Sequence, residues 1–198
     1  MEYIESTGTQ YIDTGIKNAG NLIIELDTSI SSDNNQQGVF GAKGTSGQYC
    51  QLRLYTGENG DIDKLQYNYG NNTNAKIAYN TSIPNLNTSN RVKYIFGNGL
   101  FLYDYNIATT YSIETFDNNY AQTSIIFGMK ELDSSVDWLS KMKLYSLKMY
   151  NNTTVRDFIP VKRKSDNEIC LYDKVTETFF INQGTGDFIA GPEKEVEE

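Results

Sequence analysis

Arg91-Val92-Lys93-Tyr94-Ile95-Phe96-Gly97-Asn98-Gly99-Leu100-Phe101-Leu102-Tyr103-Asp104-Tyr105 reads as a β-hairpin. Two apolar and aromatic runs flank Gly97-Asn98-Gly99, and Asn-Gly supplies the positive-φ residues of a tight hairpin turn. Upstream, residues 48–55 alternate. Cys50, Leu52 and Leu54 fall on one face, and Tyr49, Gln51, Arg53 and Tyr55 on the other. Leu65, Tyr67 and Tyr69 alternate with Gln66 and Asn68. A period of two marks a strand with one buried side.

The same pattern continues outward. Residues 3–11 and 22–30 read as strands, and Leu22, Ile24 and Leu26 share one face. Residues 31–37 form a polar loop, 39–42 a small apolar run and 43–47 its closing turn. Residues 124–129 are another strand. Residues 141–150 are apolar or aromatic on both faces, which places them in the middle of a sheet, with a turn at Asn151-Asn152-Thr153. Short runs at 155–160, 168–173 and 178–181 follow. One brief helix is expected at 134–140. Many short strands with polar turns and no β-α alternation predict an all-β sandwich. The expected organisation is one domain over residues 1–192 and an acidic tail over 193–198.

Composition agrees. Tyr, Phe and Trp number 15, 9 and 1, which suits pleated, half-buried surface. A chain of 198 residues buries about 70% of its unfolded surface, so its core needs no disulfide staples. Cys50 and Cys170 read as small apolar fillers, and a disulfide between them stays open. The net charge of −8 repels nucleic-acid phosphate and anionic lipid, so neither is an expected partner. No run approaches the about 20 apolar residues of a membrane span. The first residues lack a basic region followed by an apolar run, so no signal peptide is expected.

Two segments resemble a known family. One is Tyr3-Ile4-Glu5-Ser6-Thr7-Gly8-Thr9-Gln10-Tyr11-Ile12-Asp13-Thr14-Gly15-Ile16. The other runs over residues 143–191 and holds Arg156-Asp157-Phe158-Ile159-Pro160, Arg163-Lys164-Ser165-Asp166-Asn167, Leu171-Tyr172-Asp173, Phe179-Phe180 and Gly184-Thr185-Gly186-Asp187-Phe188. Together they resemble laminin-G-like, concanavalin A-like jelly-roll domains, common in phages and prophages of gut bacteria and in bacterial surface proteins. The resemblance implies a concanavalin A-like (laminin-G-like) jelly-roll sandwich of two antiparallel sheets. Cys170 departs from it, standing where Gly is expected before Leu171-Tyr172-Asp173. Read as chemistry, these residues are scaffold. Gly8 and Gly15 fit positive-φ turns, Arg156 and Asp157 fit ion pairs within the fold, and residues 184–186 fit a tight turn.

Catalysis is not expected. The chain has no histidine, which removes the usual general base, the nucleophile's partner and the commonest transition-metal ligand. Some concanavalin A-like relatives are glycoside hydrolases with a Glu-x-Asp-x-x-Glu strand. Glu25-Leu26-Asp27 and Glu131-Leu132-Asp133 begin that pattern, but Ile30 and Val136 stand where the last acid belongs. No cofactor is expected. Calcium, which needs only oxygens, has one weak candidate at Asp61-Ile62-Asp63 after Glu58-Asn59-Gly60.

Binding is the expected role. Sugars need an apolar ledge for their C–H faces and polar partners for their hydroxyls, and Tyr supplies both. Tyr49, Gln51, Arg53, Tyr55, Gln66 and Asn68 are the candidate ligand-binding residues, set against core or subunit contact as the plain alternative. The resemblance implies a non-enzymatic virion protein (tail, fibre or head decoration) that binds bacterial surface carbohydrate or other virion proteins, released by lysis and assembled as a homo-oligomer such as a trimer. A purely structural virion or surface protein is the alternative, and a glycoside hydrolase the third reading.

Overall fold

A computed structural model describes residues 1–18, 21–31, 36–44, 49–55, 64–70, 76–78, 90–97, 100–104, 106–110 and 122–194. The strands are β1 (Ile4–Thr7), β2 (Ile12–Lys17), β3 (Ile23–Ile30), β4 (Gln37–Lys43), β5 (Tyr49–Tyr55) and β6 (Lys64–Gly70). Next come β7 (Lys76–Ala78), β8 (Val92–Gly97), β9 (Leu100–Tyr103), β10 (Asn106–Thr110), β11 (Thr123–Ile126) and β12 (Met129–Lys130). The last are β13 (Val136–Asp137), β14 (Lys141–Asn151), β15 (Thr153–Lys162), β16 (Ile169–Asp173), β17 (Thr178–Phe180) and β18 (Ile189–Ala190). There is no helix among the described residues.

The strands form two sheets packed as an all-β, jelly-roll-like sandwich. The first sheet runs β10-β9-β8-β3-β14-β15-β16-β17, with β1 bonded to β14 and β18. The second runs β13-β12-β4-β5-β6-β7, with β11 bonded to β2 and β4. Both are antiparallel except where β12 meets β4 in parallel at Lys130↔Ala42. The hairpin of β8 and β9 closes at Gly97↔Leu100, framing Asn98 and Gly99, which lie outside the described residues.

Alternation sets the core. Leu22, Ile24 and Leu26 are buried, as are Cys50, Leu52 and Leu54 of the second sheet. Phe40 of β4 meets Phe96 of β8 edge to face at 5.8 Å, and Tyr67 of β6 stacks on Phe101 of β9 at 4.3 Å. Each such buried side chain contributes about 1.5–3 kcal/mol. Gln37 ties the layers by polar bonds. Its Nε2 donates to Ser31 O at 2.6 Å, and its Oε1 accepts from Lys141 N at 2.8 Å.

β14 is central, paired to both β3 and β15, as its sequence predicts. Its apolar residues share one face all the same. A bulge between Leu144 and Ser146 shifts the phase, so Met142 and Leu144, then Leu147 and Met149, all point inward. Tyr145 is thereby left half-buried, its ring edge to face with that of Tyr3 at 5.4 Å.

The two segments that carry the family resemblance meet along one seam. β1 pairs with β18, and Glu2 N donates to Pro192 O at 2.8 Å. Thr185 N donates to Thr9 O at 3.0 Å, Thr9 Oγ1 to Thr185 O at 2.7 Å, and Gln10 Nε2 to Asp187 O at 3.0 Å. Gln10 Oε1 accepts from Thr7 N at 2.9 Å. Residues 184–186 form the expected turn, and Gly186 has φ +68°. A Cβ on Gly184 would stand 2.1 Å from Thr9 O, so only glycine lets the two turns approach this closely.

Arg156 binds the two sheets at this end. Its Nε donates to Thr14 O at 3.0 Å, and its Nη1 lies 3.6 Å from Asp173 Oδ2. Asp173 is fully buried and accepts from Asp157 N, Val175 N and Thr176 Oγ1 at 2.8, 3.1 and 2.7 Å. Burial pushes its pKa up, but these donors and Arg156 outweigh burial and hold it below the usual carboxylate value. Asp157 holds Lys174 at 2.9 Å. Gly8 and Gly15 have φ +98° and +70°. The scaffold reading of these motifs therefore matches their contacts.

Candidate functional site

Strand register gathers the candidate binding residues on the outer face of the second sheet. Gln51 lies opposite Gly41 and Asn68, Arg53 opposite Gly38 and Gln66, and Tyr49 opposite Lys43. Residues directly opposed across a ladder share a face. By backbone register, positions 49, 51, 53, 55, 66 and 68 fall on the side of the sheet opposite to that of Leu52. The side chains of Tyr49, Tyr55, Gln66 and Asn68 lie outside the described residues. Gln51 is only 2% exposed, so at its centre this face is covered rather than open. Arg53 is half-buried.

What flanks that face is residues 131–140. The helix expected at 134–140 is absent. Ser134 and Trp138 take φ +71° and +52°, which breaks any helical run, and β13 pairs instead with β12. The segment folds back as a hook. Gly38 N donates to Trp138 O at 2.6 Å, and Ser140 N to Phe127 O at 2.9 Å. A Cβ on Gly38 would lie 2.8 Å from the Gly128 carbonyl carbon, and one on Gly128 would lie 3.0 Å from a Leu139 methyl. Small residues let the hook lie flat on the sheet.

The hook delivers Trp138, which the sequence reading passed over. Its ring sits 4.3 Å from the Arg53 guanidinium and 5.3 Å from Lys43 Nζ. Lys43 also pairs with Glu131. The one available signal was that Trp138 is the sole tryptophan, in a segment bounded by polar residues. A bulky residue held at positive φ stores about 1–3 kcal/mol of backbone strain and is worth a functional question.

The two partial acid motifs are engaged in pairing. Glu25 Oε1 meets Lys93 Nζ at 2.8 Å, and Asp27 takes a bidentate bond from Arg91 at 2.9 and 2.8 Å. Asp133 accepts from the Ser135 hydroxyl and N–H at 2.6 and 2.9 Å, and these bonds lower its pKa. Asp13, on β2, pairs with Lys130 at 2.6 Å. Burial raises the Asp13 pKa, yet Lys130, the Thr123 hydroxyl and the Gly15 N–H outweigh it and the net shift is down. Cys50 and Cys170 are buried free thiols. Burial raises both pKa values, that of Cys170 to about 11.

The calcium candidate, Asp61 and Asp63 with Glu58, lies outside the described residues. Among the described residues, no three His, Cys, Asp or Glu side chains gather as a metal site, and no helix is long and apolar enough to cross a membrane. No protein-family model and no curated protein matches the sequence.

Proposed function

We propose that the chain is a laminin-G-like, concanavalin A-like recognition module of a phage virion, a tail, fibre or head-decoration protein that binds bacterial surface carbohydrate without cleaving it. The observation that carries this reading is the outer face of β5 and β6. Backbone register brings two tyrosine positions, an arginine and three amide positions to one side of the sheet, and the arginine lies against Trp138 of the hook. Tyrosine and tryptophan offer apolar bodies with polar tips, and amides and a guanidinium match sugar hydroxyls. Gln51 then acts from beneath as support, and contact falls to Tyr49, Arg53, Tyr55, Gln66, Asn68 and Trp138. The ion-paired state of Glu25, Asp27 and Glu131 supports a non-enzymatic role, because a retaining hydrolase needs one carboxylate free to attack and another to give up a proton. The family setting adds a homo-oligomer, such as a trimer, and no required cofactor.

The test is a bacterial glycan array, followed by titration calorimetry on the best ligand. Arg53→Gln and Tyr55→Ala should each weaken binding at least about tenfold, equivalent to about 1.4 kcal/mol, with circular dichroism unchanged. Silence across the array with a stable oligomer in solution would replace this reading with a purely structural one. Release of reducing sugar would overturn its non-enzymatic half.

A further inference from the structure

The outer surface of the first sheet carries a feature of its own. Ile159, Tyr172 and Phe179 lie in one row across β15, β16 and β17. Phe179 is 42% exposed, and its ring tilts against Tyr172 at 5.2 Å and 54°. Half-buried Tyr172 and exposed Phe179 together leave an apolar aromatic surface open to solvent at the sheet edge.

Beside this ledge rises the turn between β15 and β16. Arg163 N donates to Glu168 O at 2.8 Å, and Asn167, at φ +64°, donates from its N to Arg163 O at 2.9 Å. The Arg163 side chain is braced by Asp166, with Nε–Oδ1 at 2.9 Å and Nη2–Oδ2 at 2.6 Å. The guanidinium then stands 5.6 Å from the Phe179 ring. Turn and ledge enclose a cleft of about 550 Å³. Its lining includes Lys162, Arg163 and Lys164 and no carboxylate, on a chain whose net charge is −8.

We propose that this cleft is a second binding site, for an acidic sugar unit carrying a carboxylate or a phosphate. The tilted ring pair makes a flat ledge suited to the C–H face of a pyranose. A peptide anchor would instead need a closed pocket for its side chain. Lys162 and Lys164 meet the anionic substituent as mobile point charges, and Arg163, whose Nε and Nη2 are held by Asp166, adds its remaining N–H donors. This site uses a different sheet and different residues from the β5 face, so either stands without the other.

The full chain is tested by affinity electrophoresis through polygalacturonate (carboxylate), teichoic acid (phosphate) and dextran (neutral). Retardation is expected in one or both acidic gels and not in dextran, falling steeply with salt. Phe179→Ala and Lys164→Glu, both at exposed positions, should each weaken it at least about tenfold, while Lys17→Glu, a charge reversal at an exposed position of β2, leaves it unchanged. Which acidic gel retards the protein identifies the anionic group. No retardation in either, equal retardation by dextran, indifference to both variants, or displacement by polyglutamate as strong as by polygalacturonate would each overturn the proposal. So would a sedimentation result in which Phe179→Ala dissolves a self-associated species and leaves retardation intact.

Discussion

The seam where the chain ends meet and the outer faces of the two sheets are built from opposite materials. At the seam, polar groups are spent on one another. Thr9 and Thr185 exchange bonds, Gln10 caps the turn after β1, and Asp173 takes three donors and Arg156. On the outer faces, aromatic rings and cations lie against one another with a few bracing bonds, as Arg53 does on Trp138 and Arg163 beside Phe179. The family resemblance covers the seam and also reaches Arg163, Lys164, Tyr172 and Phe179 on the outer face of the first sheet, but it takes in none of β5 and β6. It therefore speaks to how the sandwich is closed and not to what the β5 face holds.

The strongest way to break this contrast is Asp173→Ala. Removing a fully buried, paired carboxylate strands Arg156 and three donors, and should cost about 3–5 kcal/mol in urea unfolding. A loss under 1 kcal/mol, about the worth of a surface ion pair, would mean the seam is ordinary surface. Next is Gly184→Ala. Its Cβ would stand 2.1 Å from Thr9 O, so the closing turn must shift, at about 1–3 kcal/mol. Ligand binding at either outer face should survive both substitutions at temperatures where the protein is folded.

A smaller, graded effect comes from acid. Asp13 and Asp173 have folded-state pKa values below the usual carboxylate value. The unfolded chain therefore takes up these protons first. The stabilisation is whole above about pH 4 and is lost as pH falls through the folded values. Urea midpoints followed down the acid limb should drop, and Asp173→Asn should flatten the fall. Midpoints indifferent to acid would contradict the bonding described for both carboxylates. The least effect on stability belongs to Arg53→Gln, which removes one exposed-side cation–π contact worth about 0.5–1 kcal/mol. If it unfolds the protein instead, the hook is part of the core and the contrast between seam and face fails.

Sequence pattern carried the architecture well where one face of a strand is wet. The alternation at Leu22, Ile24 and Leu26 and at Cys50, Leu52 and Leu54 maps directly onto the buried side. It carried less where backbone irregularity intervenes. The bulge in β14 makes a one-faced strand look apolar on both faces, because two in-phase halves are written out of phase. The run at 124–129 is in fact two strands, broken by Phe127 at φ +72°. Residues 134–140 look helical in spacing but are bent by positive φ at Ser134 and Trp138, which composition does not announce. The site was legible as a row of side chains and not as an exposure pattern. Nothing in residues 48–55 tells that a hook crosses Gly38 close to Gln51 and Arg53. Tyr172 and Phe179 were read as fold signature, and only the pairing of β16 with β17 shows them side by side at the surface.

The pairing of β1 with both β14 and β18 sets a schedule for biogenesis. Ile4 has neighbours at Leu144 and Ala190, so β1 has no ladder to join until residues 141–144 have been made, and its other edge waits for residues 189–190. Its apolar residues stay unpaired until then, and closure is a late, long-range event. Such topologies fold over about milliseconds to seconds, with time for an orphaned edge to find a wrong partner. Expression at low temperature, or with a holdase, should therefore raise the soluble yield more than any change to the outer faces.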